Sequence, residues 1–256
     1  MYYIDSHAHL TDPAILSHIE GVLARALTAN VSHILNICTD PVTLQAGLHL
    51  AAKYPFIKNA GATTPHDVSE EGEMAFPLFS AAAQSHQLVA VGETGLDYHY
   101  AHSPKEVQQR FLKKYLLLAA ETGLPVIFHC REAFTDLFAL VDAEYPKKAP
   151  AILHCFTGTL EEAEKVLERG WYLSLSGIVT FKKSEALREV AKRVPLSQLL
   201  IETDAPYLAP HSRRGKPNEP SFLVETAACI AQAKGVPVEE IALASASNAK
   251  KLFFAF

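Results

Sequence analysis

The sequence predicts an α/β protein, a single (β/α)8 TIM barrel over residues 1–256 with a metal site at the carboxyl-terminal rim of its strands. Three observations predict it. Eight short apolar runs alternate with helix-like segments. Most of the runs are continuously apolar rather than alternating, as expected of parallel strands covered on both faces. Six side chains of metal-ligand type fall at the carboxyl ends of five of those runs.

The first run, Tyr2–Ser6, leads into "SHAHL", which places His7 and His9 two residues apart. In a strand such residues share a face, with α-carbons roughly 6–7 Å apart, so two imidazoles can converge on one ion. Asp12-Pro13 then puts a capping side chain before a proline at the first helical position. The second run is Ser32–Ile37, followed by the same device in Asp40-Pro41. The third is Ile57–Gly61. The fourth, Leu88–Gly92, is followed by Glu93 in "VGETGLDYH", and Ser103-Pro104-Lys105-Glu106 reads as a capping box opening the next helix. Gly123 fits the left-handed residue past that helix's end, and Pro125 helps begin the fifth run, Val126–His129. The sixth, Ala151–His154, precedes a second capping box, Thr159 with Glu162, whose helix stops at Gly170. Tyr172–Ser176 and Gln198–Glu202 complete the set, and Asp204 follows the last. Right-handed βαβ crossovers through eight such units give either a closed barrel or an open doubly wound sheet.

The metal-type residues decide between them. His7, His9, Glu93, His129, His154 and Asp204 share one rim only if the sheet closes, and barrel active sites assemble on that rim. The chain has 12 histidines, so any one at a strand end is ordinary; six agreeing positions are not. Imidazole and carboxylate together favour divalent ions: zinc, manganese or, with more oxygen, magnesium. Two carboxylates and two such ions leave a net +2 pocket, an attraction for phosphate in an acidic chain. Glu93 can bridge both ions, and a two-metal centre suits in-line displacement at phosphorus. Asp204 is the candidate general base. With the bridging Glu93 it makes up the catalytic pair. Glu202, two residues before Asp204, can orient an imidazole.

Composition sets the rest. Hydrophobic residues make up 49% and charged residues 20%, with a formal charge of −5 and a pI near 6.2, so no global charge marks a nucleic-acid binder. Phosphate affinity must be local. Arg131, two residues after His129, can clamp a phosphate, and Arg213, Arg214 and Lys216 form the one dense basic cluster near the expected site. Tyr98 and Tyr207 flank ligand-bearing loops and are placed to stack on bases. Cys130 and Cys155 follow ligands and by alternation should face the helix layer. No run approaches the roughly 20 apolar residues of a membrane span. The early first strand leaves no room for a signal peptide, and the four cysteines show no C-x-x-C pair, so a cytoplasmic protein without membrane contact or obligate protein partner is expected.

"YIDSHAHL", "GETGLDYH", "PVIFHCREA", "LHCFTG", "IETDAPYLAP" and "RRGKPNEP", in that order along the chain, resemble the successive motifs of the TatD family of metal-dependent deoxyribonucleases, among the amidohydrolase-type barrels. The resemblance implies a barrel hydrolase that cuts DNA, single strands or 3′ ends, as a 3′–5′ exonuclease. Carried over residue by residue, it puts His7, His9, Glu93 and Asp204 on one metal and Glu93, His129 and His154 on the second. It also marks departures. Thr11 stands where the family usually has Asp or Asn. Thr64 in "GATTPHD" stands where a histidine is expected, with His66 two residues on as its possible substitute in binding substrate. The alternative is an ester or amide hydrolase such as a D-aminoacyl-tRNA deacylase; Glu93, at the strand-four position where many amidohydrolases carry a modified lysine, disfavours the amidase branch. A silent scaffold barrel is a third reading, opposed by the intact ligand set.

Overall fold

A computed structural model describes residues 1–254. Eight parallel strands follow chain order: β1 (Tyr3–Ala8), β2 (Val31–Cys38), β3 (Ile57–Gly61), β4 (Ala90–Asp97), β5 (Val126–Arg131), β6 (Ala151–Leu153), β7 (Tyr172–Leu175) and β8 (Leu199–Ile201). The helices among the described residues are α1 (Pro13–Leu16), α2 (Ile19–Thr28), α3 (Pro41–Lys53), α4 (Gly72–Gln84), α5 (Lys105–Thr122), α6 (Phe134–Glu144), α7 (Leu160–Glu168), α8 (Glu185–Arg193), α9 (Leu223–Lys234) and α10 (Val238–Phe253). Every predicted strand is present, and the sheet rolls into a TIM barrel.

The seam between β8 and β1 is held by a single parallel bridge, Ala8 to Ala205. Around it the Asp204 amide donates to the His7 carbonyl at 2.9 Å and the His9 amide to the Ala205 carbonyl at 2.7 Å. Lower down, the Ser6 hydroxyl donates to the Ile201 carbonyl at 3.0 Å.

Local chemistry explains most boundaries. The Asp12 carboxylate accepts from the Ala14 amide and opens α1. That of Asp40 accepts from Val42 and Thr43 and opens α3. Thr159 and Glu162 form their capping box, and Gly123 and Gly170 take φ of 70° and 74° just past α5 and α7. The expected box at Ser103 does not form. Pro104 occupies the cap of α5 without a side-chain bond, because the Ser103 hydroxyl instead donates to the His66 carbonyl and accepts from the Ser69 amide. Tertiary pinning of the β3 loop wins over the local cap.

By the two-residue period, Ile127 and Ile152 share the faces of His129 and His154. They pack with Ile4, Leu35, Ile37 and Leu200 as the apolar filling of the barrel, and Phe253 of α10 belongs to the same cluster. A larger cluster lies between strands and helices, with Phe79, Phe111, Tyr115 and Phe128 fully buried in it. The polar rim therefore stands on a floor of close-packed aliphatic side chains, which fixes its geometry.

Candidate metal centre

β4 is longer than its apolar run. It continues to Asp97, so Glu93 lies within the strand. Gly95 makes this close pairing possible: its φ is +150°, and a Cβ there would stand 1.9 Å from the His129 carbonyl oxygen. β4 and β5 thus approach closely where Glu93 and His129 must meet, a task for a residue without a side chain.

The six predicted residues converge. The Glu93 carboxylate is the hub. Its Oε1 lies 2.8 Å from His129 Nδ1 and 2.9 Å from His154 Nε2. Its Oε2 lies 3.3 Å from His7 Nε2 and 3.7 Å from His9 Nε2. Asp204 Oδ1 completes the second side, 3.6 Å from His7 Nε2 and 3.4 Å from His9 Nε2. Two of the groups close enough to hold an ion are therefore His7, His9 and Asp204, and Glu93, His129 and His154. The rings of His7 and His154 stack at 4.0 Å between them.

The donor chemistry fits cations. His7 is fully buried, yet neither of its ring nitrogens has a hydrogen-bond partner, and Glu202 Oε2 is likewise unpartnered. Buried imidazole nitrogens are rarely left unsatisfied without cause, and a nitrogen-and-carboxylate set of this kind is one that divalent ions take.

Electrostatics binds the set together. Burial alone would raise the Glu93 pKa, but His154, His129 and His7 outweigh it and hold the carboxyl well below its usual range. Asp204 is lowered too: burial opposes the shift, and His9 dominates it. Burial would drive the protons off His129 and His154. Asp97 and Glu93 nevertheless raise His129, and Glu93 with Glu202 raise His154 well above the ordinary value. His7 is lowered by burial and by the neighbouring His154.

Two outer partners orient the rings. Glu202 Oε1 lies 3.3 Å from His154 Nδ1, the role its position suggested. Asp97, fully buried, stands 2.9 Å from His129 Nε2 and also accepts from the Tyr100 amide at 2.7 Å. Sequence reasoning missed Asp97. The signal that finds it is spacing, since Asp97 lies two residues beyond Gly95 on a strand that the apolar run seemed to have ended.

The cluster floors a cavity of about 490 Å³ whose walls include His66, Arg131, Tyr100 and Tyr207. His66 Nε2 is 3.6 Å from Asp97 Oδ2. Arg214 and Lys216 are not brought into that wall. They are exposed on the loop before α9, with the Arg214 guanidinium resting 4.6 Å from the centre of the Phe181 ring; Arg213 pairs with Glu225 at 2.8 Å. Tyr98 turns away from the cavity. Its hydroxyl donates to Asp136 at 2.8 Å and Lys105 lies over its ring; Tyr100, two residues on, takes the place in the wall. Cys130 packs in the core as expected, though it also reaches the edge of the cavity wall. Cys155 departs from the expectation. β6 ends at Leu153, Cys155 adopts φ +42°, and the alternation that would have sent it outward is broken, so it joins the cavity wall with its Sγ 3.2 Å from Ser176 Oγ.

Comparison with known proteins agrees with this geometry. The family of TatD related DNases matches residues 4–254. A Bacillus subtilis protein named an uncharacterized metal-dependent hydrolase, YabD, is 38% identical over 97% of this chain and 98% of its own length. The 3'-5' ssDNA/RNA exonuclease TatD of Citrobacter rodentium is 37% identical over 97% of each. Among solved structures, the TatD homologue YJJV of Escherichia coli K12 superposes with a TM-score of 0.92 at 30% identity, covering 98% of this chain and 97% of its own. Matched from end to end on a barrel with the same topology, this chain belongs to the family of TatD-related DNases and is a metal-dependent hydrolase acting on ester bonds.

Proposed function

We propose that the protein is a two-metal phosphodiesterase that removes nucleotides from the 3′ end of single-stranded nucleic acid, DNA first. One observation carries the reading: the Glu93 carboxylate offers one oxygen to His129 and His154 and the other to His7 and His9. His7, His9, Glu93 and Asp204 would hold one cation, and Glu93, His129 and His154 the other. Zinc, manganese and magnesium all suit this set. Such a pair supplies Lewis acidity at the phosphoryl group.

The chain's own residues do the rest. Asp204, held ionised by His9, accepts the proton of the attacking water. Glu202 and Asp97 keep the His154 and His129 rings in position. Arg131, in the cavity wall, meets a phosphate oxygen, and His66 lies beside it on the same wall. Arg214 and Lys216, outside the cavity, contact phosphates further along the strand. The names of relatives such as the C. rodentium exonuclease support the substrate and polarity, and favour nucleic-acid cleavage over aminoacyl-tRNA ester hydrolysis. The chain is proposed to act as one unit over its whole length, in the cytoplasm, where its thiols stay reduced. No described helix is long and apolar enough to cross a membrane.

The test is hydrolysis of 3′- and 5′-labelled single-stranded oligonucleotides. EDTA should abolish it, and manganese or magnesium should restore it with mononucleotides released from the 3′ end. Undiminished cleavage in chelator would overturn the reading.

A further inference from the structure

The cavity above the metal centre has an aromatic wall that the ligand set does not use. Tyr100, on the loop between β4 and α5, keeps 53% of its surface exposed. The Arg131 guanidinium lies over its ring at 4.8 Å and donates to its hydroxyl at 3.3 Å. His66 stands edge-on to it at 5.8 Å, and the His66 ring is 5.4 Å from that of His129. A continuous run of flat groups therefore leads from a metal-ligating imidazole to the mouth. Across the cavity Tyr207, 52% exposed, stands 5.7 Å from the His9 ring with its hydroxyl fixed on Asp12 at 2.9 Å.

Two half-exposed tyrosines braced by hydrogen bonds at the lip of a polar cleft are not core residues. A rigid, amphipathic ring costs little entropy to hold ready for a ligand. Every nucleobase offers a π face, and stacking on an aromatic ring is tolerant of base identity. A base inside a duplex is stacked on both faces, and one at a duplex end is still held by its pairing partner, so such a wall favours an unpaired base.

Resting on the nuclease reading above, we propose that Tyr100, backed by Arg131, is the shelf on which the base of the terminal nucleotide stacks, with Tyr207 closing the opposite side. The shelf selects single-stranded ends without reading sequence, and it sets the terminal phosphodiester over the metal centre. Arg131 thereby serves twice, stiffening the shelf and facing the phosphate.

The experiment compares kcat/KM for a single-stranded oligonucleotide ending in an ordinary 3′ nucleotide with that for the same strand ending in an abasic one. Base–aromatic stacking lost to alanine is worth about 5- to 150-fold. The wild-type protein should prefer the ordinary end by that factor, mainly through KM. In Tyr100→Ala the preference should collapse toward unity, and Tyr100→Trp should keep it. A Tyr100→Ala protein that discriminates as well as the wild type overturns the shelf while leaving the nuclease reading intact. If the wild type cleaves neither oligonucleotide yet hydrolyses bis(p-nitrophenyl) phosphate with manganese, the nuclease reading fails and the shelf fails with it.

Discussion

Asp97 Oδ2 stands 2.9 Å from Nε2 of His129, on the opposite side of the ring from Glu93. The ring is thus gripped at both nitrogens, with Nδ1 turned toward Glu93 and the ligand cluster. The Asp97 carboxyl is itself shifted down to about 2, burial opposing and His129 and the Tyr100 amide outweighing it. Asp97→Asn should keep the fold and weaken cation binding by about 10- to 100-fold. Titration of the chelated protein with zinc or manganese, followed by calorimetry, measures it.

Glu93 is the one side chain shared by both halves of the site. Glu93→Gln removes its charge and leaves an amide nitrogen where an acceptor is needed. Hydrolysis of single-stranded DNA should fall at least ~100-fold, and metal analysis should find less than the wild-type content per chain. Wild-type content with wild-type turnover would remove Glu93 from the centre.

The chelated protein should lose stability as the pH rises. His9, His129 and His154 have folded pKa values above the ordinary 6.5. Each contributes stability that is full below 6.5 and is lost as pH climbs through the raised folded value. His7, His33 and His66 are lowered instead, so their opposing effect is spent by about pH 6.5 and the three raised groups govern the range above it. In EDTA the melting temperature should therefore decline as the pH rises above 6.5. With metal the decline should shrink, since neutral imidazoles are then ligands. Differential scanning fluorimetry across that range checks the sign.

Gly95→Ala should damage both fold and site. The added Cβ would meet the His129 carbonyl at 1.9 Å from a backbone φ of +150°. Overpacking and strain together should cost at least ~2 kcal/mol, read by urea unfolding, and pushing β4 off β5 should lower metal affinity as well.

The exposed loop before α9 makes a separate claim. Arg214→Ala with Lys216→Ala should weaken binding to longer oligonucleotides and lower the slope of log K against log salt by up to about 1.4 for single strands. A dinucleotide, too short to reach the loop, should be bound as before.

What the sequence disclosed and withheld follows from periodicity. His7, His129 and His154 end apolar runs, and strand alternation plus barrel closure is enough to bring them together. Asp12, Asp40 and Thr159 announce helix starts because their caps are local. Asp97 stayed hidden because the polar, glycine-containing stretch Gly92–Asp97 looks like a loop, although β4 persists through it. Cys155 was sent to the wrong side because β6 stops two residues before it, and no sequence period marks where alternation lapses. Ser103 was read as a cap because its partner, the His66 carbonyl, lies on another loop. Tyr100 was passed over for Tyr98: both follow the same motif, and only the packing of Lys105 and Asp136 against Tyr98 tells which one faces outward.

The backbone exchange at Ala8 and Ala205 carries a consequence for how the enzyme comes into being. His7 and His9 are synthesised nearly two hundred residues before Asp204, and their meeting depends on β8 docking beside β1. A half-made or clipped polypeptide, however well its early strands pair, would hold no complete reaction centre. The protein would arm itself only once synthesis has passed β8, so that incomplete copies present no hazard to the nucleic acid around them.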